Sequence, residues 1–188
     1  MFAVINLGMK SVRLCLLDHH GQIQYKKSFP LNSVIFGDRV EQNGREWWNL
    51  IKMLFHEAEM MGYQLSSIEA VTVSASASCL VCIDSTGEPL RPVIMVSDRR
   101  HHVDEKNDSP APIMYQRIRW LKEHEPEIFK AAAYFLAPND YIVYRLCGLA
   151  ETDMLNAEKL GYNSKTRRYS LPDETVLTRL PTVREIGE

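Results

Sequence analysis

The stretch that decides the fold is Met1–Asp18, MFAVINLGMKSVRLCLLD. Within it, Phe2–Leu7 is apolar and rich in residues that favour strands, and Ser11–Leu17 alternates polar with apolar residues. The short segment between them contains a glycine, which tolerates the backbone angles of a tight reversal. The sequence therefore predicts two antiparallel strands that reverse direction at Gly8–Lys10.

A third strand and a long amphipathic helix are predicted next. Gln22–Phe29 follows the turn signal Asp18–Gly21 and completes a three-stranded meander. In Arg45–Gly62, REWWNLIKMLFHEAEMMG, large apolar residues recur with the helical period and a glycine ends the pattern. The apolar stripe consists of Trp47, Trp48, Ile51, Leu54, Phe55, Ala58 and Met61. A stripe this broad needs a sheet to cover it, so both tryptophans are interpreted as core residues rather than carbohydrate-stacking platforms.

The rest of the chain alternates shorter strands with helices. Strands are predicted at Ile68–Val73, Ser78–Asp84 and Pro92–Val96. Helices are predicted at Met114–Glu123, Pro126–Ala133 and Asn139–Leu146. Arg99–Pro112 is predicted to be a polar loop, and Asn163–Glu188 is only weakly periodic. This alternation indicates an α/β domain.

Composition and charge exclude several classes of protein. The length of 188 residues fits one domain, and 45% hydrophobic with 24% charged residues excludes a disordered chain or a coiled coil. A net charge of −2 argues against binding to nucleic acid. No apolar run approaches the roughly 20 residues of a membrane helix. The amino terminus lacks the features of a secretory signal. Cysteines within apolar stretches are typical of a reducing compartment, so a cytoplasmic location is expected.

The chain has four cysteines, and each lies in an apolar stretch: Cys15, Cys79, Cys82 and Cys147. The CxxC spacing of the middle pair has no second cysteine pair or histidine pair to complete a zinc site. Three steps along a strand also place these two sulfurs on opposite faces. The cysteines are therefore interpreted as buried structural thiols, with redox or metal chemistry as the alternative.

Several stretches, taken together and in order, resemble one known family. They are NLGMKSVRLCLLD (6–18), VEQNGREWW (40–48), VSASASCLVCIDSTGEPLRPVIMVSDRR (73–100), RIRWLKEHEPEIF (117–129) and APNDYIVYRLCGLAETDMLNAEKLGYN (137–163). The first resembles the DxGT-x-x-x-K/R phosphate hairpin of the FGGY carbohydrate kinases, the xylulokinase, gluconokinase and glycerol kinase group. The others resemble its E-Q-x-x-x-x-W-W, S-G-Q to W-x-D-x-R, K-x-x-W-L and P-x-D-Y to T-D-x-S-x-A-S segments.

This resemblance implies an actin-like, ribonuclease-H-like fold, with a mixed central sheet opened by the meander and flanked by helices. It also implies that residues 1–188 are a truncated FGGY N-terminal domain, with its carboxyl-terminal part and the second kinase domain missing. The cofactors implied are ATP and magnesium, and the substrate is a small sugar or polyol. The general base of the family follows Glu188, so no catalytic residue is expected in this chain.

The resemblance places the ATP phosphate site at Asn6, Gly8, Met9, Lys10 and Arg13. The family has an aspartate that orients magnesium where this chain has Asn6, and a threonine where it has Met9. Asn6 keeps an oxygen but lacks the charge that a hard cation prefers, so it is expected to be a weak magnesium ligand that acts through water. Lys10 is either a compensating cation for the phosphates or a solvated turn residue.

The resemblance places the substrate site at Ser76, Ala77, Ser78 and Asp98, with Val96 in the position of a pocket-wall tryptophan. Ser76 and Ser78 are alternate positions at a strand end, so both hydroxyls are expected to face one pocket. The serines could equally belong to an ordinary strand end. Asp98 is the best candidate for a contact to a substrate hydroxyl, unless it forms a surface ion pair with Arg99.

The leading hypothesis is the substrate-binding N-terminal domain of an ATP-dependent sugar or polyol kinase, inactive on its own. The departures at Asn6, Met9, Ser76 and Val96 support an alternative, a catalytically degenerate binding or regulatory protein. A small ribonuclease-H-like binding module is a third possibility. A homodimer is possible, and neither nucleic acid nor membrane is expected as a partner.

Overall fold

The computed structural model describes residues 1–100 and 111–185. Most of the predicted polar loop Arg99–Pro112 lies outside the described residues. The largest sheet has four strands: β1 (Phe2–Leu7), β2 (Ser11–Leu17), β3 (Ile23–Pro30) and β6 (Ala70–Ala75). Their order is β3-β2-β1-β6, with β1 antiparallel to β2 and parallel to β6. This mixed sheet is the platform on which the candidate site is built.

Helix α1 (Gly44–Met60) covers one face of this sheet. Asn43 caps the helix through its side-chain oxygen, which accepts a hydrogen bond from the Arg45 N–H at 3.0 Å. The helix buries Trp47, Ile51, Leu54 and Ala58 against Ala3, Ile5, Leu7, Val12, Leu14 and Leu16. The predicted burial of Met61 is wrong, because the helix ends one residue earlier and Gly62 turns the chain away with a φ of +93°.

Two small sheets extend the molecule beyond α1. One has the order β4-β5-β8, formed by β4 (Val34–Phe36), β5 (Arg39–Gln42) and β8 (Val93–Ile94). The other pairs β7 (Val81–Ile83) with β9 (Tyr134–Leu136). The β4–β5 hairpin and β9 are absent from the sequence-based assignment, and the strands predicted at Ser78–Asp84 and Pro92–Val96 are shorter than expected.

The remaining elements are short and follow the second half of the chain. The helices are α2 (Ile113–His124), α3 (Pro126–Ala131), α4 (Pro138–Cys147), α5 (Met154–Lys159) and α6 (Glu174–Leu177). The strands are β10 (Glu151–Asp153), β11 (Tyr162–Asn163), β12 (Arg168–Tyr169) and β13 (Thr182–Arg184). A 3-10 turn at Leu65–Ser67 precedes β6. Within the described ranges, no helix is both long and apolar enough to cross a membrane.

Strand β7 lies between two apolar cores. Val81 and Ile83 belong to the core beneath α1, whereas Cys82 points into a second core with Ile118 and Phe135. Cys79 belongs to the first core, so the predicted placement of the two thiols on opposite sides is confirmed. Burial raises the pKa of Cys79 to about 11 and that of Cys82 to about 12.

The interpretation of all four cysteines as buried thiols is wrong for two of them. Cys147 is exposed and Cys15 is only half-buried, although all four are free thiols. Cys147 is the last residue of α4, next to the Gly148 cap, where the helix end faces solvent. Cys79 and Cys82 are the structural thiols of the fold.

Candidate functional site

In the turn between β1 and β2, two residues have backbone N–H groups that are unpaired among the described residues, while their carbonyl groups accept hydrogen bonds. The Gly8 N–H donates to the Ser11 carbonyl at 2.9 Å and closes the turn. The Met9 carbonyl accepts from Gln42 Nε2 at 2.8 Å, and the Lys10 carbonyl accepts from the Leu31 N–H at 2.9 Å. The N–H groups of Met9 and Lys10 donate to no group in residues 1–100 or 111–185. Such unpaired donors in a turn are suited to bind an anion.

Gln42 fixes this turn from behind. Its side chain is 2% exposed, and Nε2 donates to both the Met9 carbonyl and Ser33 Oγ, the latter at 2.9 Å. Its Oε1 accepts from Trp47 Nε1 at 2.9 Å. A buried amide whose hydrogen bonds reach three elements holds them in one arrangement. Gln42 and Trp47, one residue from each of the E-Q and W-W pairs, therefore support the turn together, a role that their spacing alone does not reveal.

A row of polar side chains crosses the open face of the sheet beside the turn. Asn6 on β1 lies opposite Arg13 on β2 and opposite Ser74 on β6. These residues alternate with the buried positions of their strands, so they face away from α1. Neither Arg13 nor the exposed Lys10 forms an ion pair within the described ranges. Both cations of the predicted phosphate site are therefore available to a ligand.

The turn and the tip of β6 meet at the same edge of the sheet. The Ser76 N–H donates to the Leu7 carbonyl at 3.0 Å, directly next to Gly8. Because β1 and β6 are parallel, their carboxyl ends lie side by side, and this is where open α/β sheets bind ligands. An adjoining hollow of about 280 Å³ is lined by Ser74, Ala75, Ala77, Asn139, Asp153 and Lys159, among others.

Ser78 differs from its predicted placement. Strand β6 ends at Ala75, so residues 76–78 form a turn and the alternation assumed for the Ser76 and Ser78 hydroxyls does not apply. Ser78 has a φ of +62°, which is uncommon for a residue with a side chain, and it is almost fully buried. Its carbonyl accepts a hydrogen bond from Nη1 of the buried Arg117.

Asp98 is buried in an ion pair outside this hollow. Its carboxylate accepts from the Val40 N–H at 2.7 Å and from Arg100 Nε and Nη2 at 2.9 and 2.6 Å. Desolvation opposes ionisation, but the hydrogen bonds from Arg100 and Val40 outweigh it and lower the pKa of Asp98. The pair is buried and its partner is Arg100, so the alternative of a surface pair with Arg99 is wrong.

This ion pair belongs to a larger charge network. Arg100 Nη2 also lies 2.7 Å from Glu41 Oε1, which binds Arg91 as well. Arg91 Nε in turn lies 3.0 Å from Glu125 Oε2. The network joins β5, the segment after β8 and the end of α2. Several motif residues that could be mistaken for ligand contacts therefore pair with each other.

Asp140 is a buried carboxyl group beside the hollow. It lies in the first turn of α4, where Asn139 Nδ2 donates to its Oδ1 at 2.8 Å and the Ala137 N–H approaches its Oδ2 at 3.4 Å. Burial dominates and raises the pKa of Asp140 to about 7, although a hydrogen bond from Thr152 acts in the opposite direction. The P-x-D-Y motif marks this residue in the sequence without indicating its burial.

Comparisons with known proteins identify the family of the chain. The profile described as the FGGY family of carbohydrate kinases, N-terminal domain, matches residues 1–108 and 111–177. The chain belongs to the FGGY family of carbohydrate kinases. The xylulose kinase of Bacillus subtilis (strain 168) is 29% identical to this FGGY chain over 171 residues, which cover 81% of the chain and 34% of that relative. The chain therefore spans about a third of the length of this curated relative.

Solved structures share the fold of this FGGY chain. A crystal structure of a xyloylose kinase from Brucella ovis superposes with a TM-score of 0.86 at 21% identity, covering 97% of the chain and 42% of that protein. A gluconate kinase from Lactobacillus acidophilus superposes with a TM-score of 0.83 at 21% identity, with the same coverage of both chains. FGGY structures have an actin-like ATPase fold, so the fold predicted from the sequence is confirmed.

Proposed function

We propose that the chain is the N-terminal, substrate-binding domain of an ATP-dependent kinase that phosphorylates a hydroxyl group of a small sugar or polyol. The observation that carries this proposal is the meeting of two features at one sheet edge. The turn with the unpaired Met9 and Lys10 N–H groups adjoins the tip of β6, where Ser76 bonds to Leu7. Phosphoryl transfer requires an anion site and a hydroxyl site side by side.

The residues at the turn fit the phosphates of a nucleotide. Met9 and Lys10 would donate their N–H groups, while Lys10 and Arg13 would offset the negative charge of the phosphates. Gly8 leaves the space above the turn open, because a Cβ added there would meet only the Ser11 carbonyl at 3.5 Å and Asn6 Oδ1 at 3.8 Å. Bound ATP would supply the phosphoryl group for transfer.

The fit to magnesium is weaker. Within the described ranges, no cluster of three or more His, Cys, Asp or Glu side chains could hold a metal ion. Asn6 offers a neutral carboxamide oxygen at the position facing Arg13. This oxygen suits a contact to a hydrated magnesium ion that is bound to the nucleotide. It does not suit a metal site formed by the protein alone.

The sugar would lie beside the turn at residues 76–78. Ala75 and Ala77 line the hollow, and Ser76 lies between them in the sequence. Short side chains there leave room for a polyhydroxylated ligand. Asp98 is the other candidate for a hydroxyl contact, but its carboxylate is already hydrogen-bonded to Arg100 and Val40. Ser76 is therefore the better candidate. The general base is expected outside these 188 residues.

A coupled kinase assay tests the proposal. The complete gene product that contains the chain is assayed with ATP and magnesium against xylulose, gluconate and glycerol, with xylulose first because curated relatives are named xylulose kinases. We expect turnover of at least one of these compounds, and none from the 188-residue chain alone. Binding of a sugar without turnover by the complete product would favour the degenerate binding protein instead.

A further inference from the structure

We infer that Arg117 is a positioning residue for the sugar side of the site, because it holds the Ser76–Ser78 turn and the Val96 segment in one arrangement. This inference rests on the proposed function. The two segments come from different elements, since the turn follows β6 and Val96 follows β8. Arg117 lies on α2 and reaches both of them.

The contacts of Arg117 converge on backbone carbonyl groups. Its Nη1 donates to the Ser78 carbonyl, and its Nη2 donates to the Val96 carbonyl at 3.1 Å and the Met95 carbonyl at 3.3 Å. The two Nη atoms of the planar guanidinium group are a fixed distance apart, so the carbonyl groups that accept from them are held at a fixed spacing. Moving either segment therefore requires breaking a hydrogen bond in the interior.

Burying the charged side chain of Arg117 is energetically unfavourable, so its hydrogen bonds have to offset that cost. The side chain of Arg117 is fully buried, and no carboxylate hydrogen-bonds to it in the part of the chain that the structure describes. Desolvation lowers the pKa of Arg117, yet an arginine stays charged in a protein. A methionine or leucine would fill the same space without the penalty of burying a charge. Unlike those apolar residues, Arg117 forms three hydrogen bonds to backbone carbonyl groups.

The turn at Ser78 needs such support. Its φ of +62° is unfavourable for any residue with a Cβ, and a conformation of this kind persists only where the surroundings enforce it. The preceding residue, Ala77, lines the hollow. Release of the Ser78 carbonyl would therefore let the wall of the hollow relax.

The phosphate side of the site is supported independently. The turn at Met9 is held by Gln42 and by Leu31, and neither contacts Arg117. Removing the guanidinium group should consequently weaken the sugar site while the nucleotide site keeps its geometry. A general loss of stability would instead affect both ligands together.

The experiment compares three variants of the complete gene product. Arg117→Met keeps the volume and removes the donors, Arg117→Lys restores a cation, and Arg119→Met is the control because Arg119 is exposed on the same helix. We expect Arg117→Met to raise the KM for the sugar about 10- to 100-fold with the KM for ATP changed less than about twofold. We expect Arg117→Lys to recover most of this loss and the control to match the parent.

Hydrogen–deuterium exchange is measured on the same proteins. We expect faster exchange in peptides covering residues 76–80 and 94–98 of Arg117→Met, with unchanged exchange around Met9. If Arg117→Met cannot be purified folded, Arg117→Gln, which is too short to reach both segments, takes its place in both measurements. Equal increases in both KM values, or unchanged exchange in both segments, would overturn the inference. A parent enzyme without turnover would remove the proposed function, and the exchange data would still decide the positioning role.

Discussion

Ser78 combines an unfavourable backbone conformation with a buried environment. A left-handed conformation costs a residue with a Cβ about 1–2 kcal/mol relative to glycine. We expect Ser78→Gly to raise the free energy of unfolding by about 0.5–1 kcal/mol, since part of the gain is offset by the greater freedom of glycine in the unfolded chain. Urea unfolding measures the change. Ser76→Gly is the control, as its φ is not positive and its change should be destabilising.

Lys10 is the cation most directly placed at the turn. It is exposed and has no ion pair among the described residues, so its removal should leave the fold intact. We expect Lys10→Ala to weaken nucleotide binding by the complete gene product about 3- to 10-fold, the value of one charge-assisted contact near the surface. Calorimetric titration with ATP and magnesium measures it. Lys52→Ala on α1 is the matched control, and equal affinities for the two variants would identify Lys10 as a solvated residue.

Asp140 should make stability depend on pH. Its pKa rises from an ordinary 3.8 to about 7 on folding, so the folded state holds a proton that the unfolded state releases between these values. Stability contributed by this group is therefore full below about pH 4 and falls as the pH rises towards 7, by at most about 1.4 kcal/mol per pH unit. We expect Asp140→Asn to be more stable relative to the parent at pH 7.5 than at pH 5. Thermal unfolding at both pH values checks this, and a constant difference would contradict it.

At the scale of elements, Gln42 connects β5 to α1 and to the turn after β1. Gln42→Met keeps the volume but leaves Trp47 Nε1 and the Met9 carbonyl without their partner. Each buried group left unpaired costs about 1–3 kcal/mol, so the loss should exceed that of an ordinary substitution. Chemical unfolding measures it. Gln24→Met is the control, because Gln24 is exposed on β3 and, among the described residues, its side-chain amide hydrogen-bonds only to Asp18, so its effect should stay within about 0.5 kcal/mol.

The elements with a clear local pattern could be predicted from the sequence. The bounds of β1 agree with its apolar, strand-favouring run and those of β2 with its alternation, and α1 agrees with its apolar stripe except at Met61. The β4–β5 hairpin could not be predicted, because Val34–Phe36 is exposed and lacks the alternation of a half-buried strand. Strand β9 could not be predicted for a different reason, as its three residues pair with β7, which lies about 50 residues earlier in the chain.

The candidate site likewise combines residues that a local motif identifies with contacts between residues far apart in the chain. Asn6 and Gly8 could be recognised from the hairpin and the family resemblance, but their position next to Ser76 depends on the parallel pairing of β1 with β6. The role of Arg117 could not be predicted, since its three acceptors lie 39, 22 and 21 residues away along the chain. Spacing within a motif carries no information about such contacts.

At the scale of the whole molecule, two apolar cores lie on opposite sides of β7, and neighbouring residues of β8 and β9 also alternate between them. Strand β7 separates them, and Arg117 and the charge network around Arg100 lie near the boundary. Arg100 also lies over the ring of Trp120 at 5.1 Å, which connects the network to α2. Buried ion pairs add little net stability, but breaking one leaves an uncompensated charge in the interior. The network should therefore help to fix the segments on either side of β8 relative to β5 and α2.

Removing the Asp98 carboxylate tests this and separates a structural role from a ligand role. Asp98→Ala leaves Arg100 facing the single carboxylate of Glu41 and leaves the Val40 N–H unpaired, so we expect a loss of about 3–5 kcal/mol in the free energy of unfolding. Urea unfolding of the 188-residue chain measures it, with Glu127→Ala as the control because its ion pair to Lys130 is exposed and should contribute less than about 1 kcal/mol. If Asp98→Ala instead keeps the stability of the parent while the complete gene product loses sugar binding, then Asp98 is a ligand contact and the network adds little to the stability of the fold.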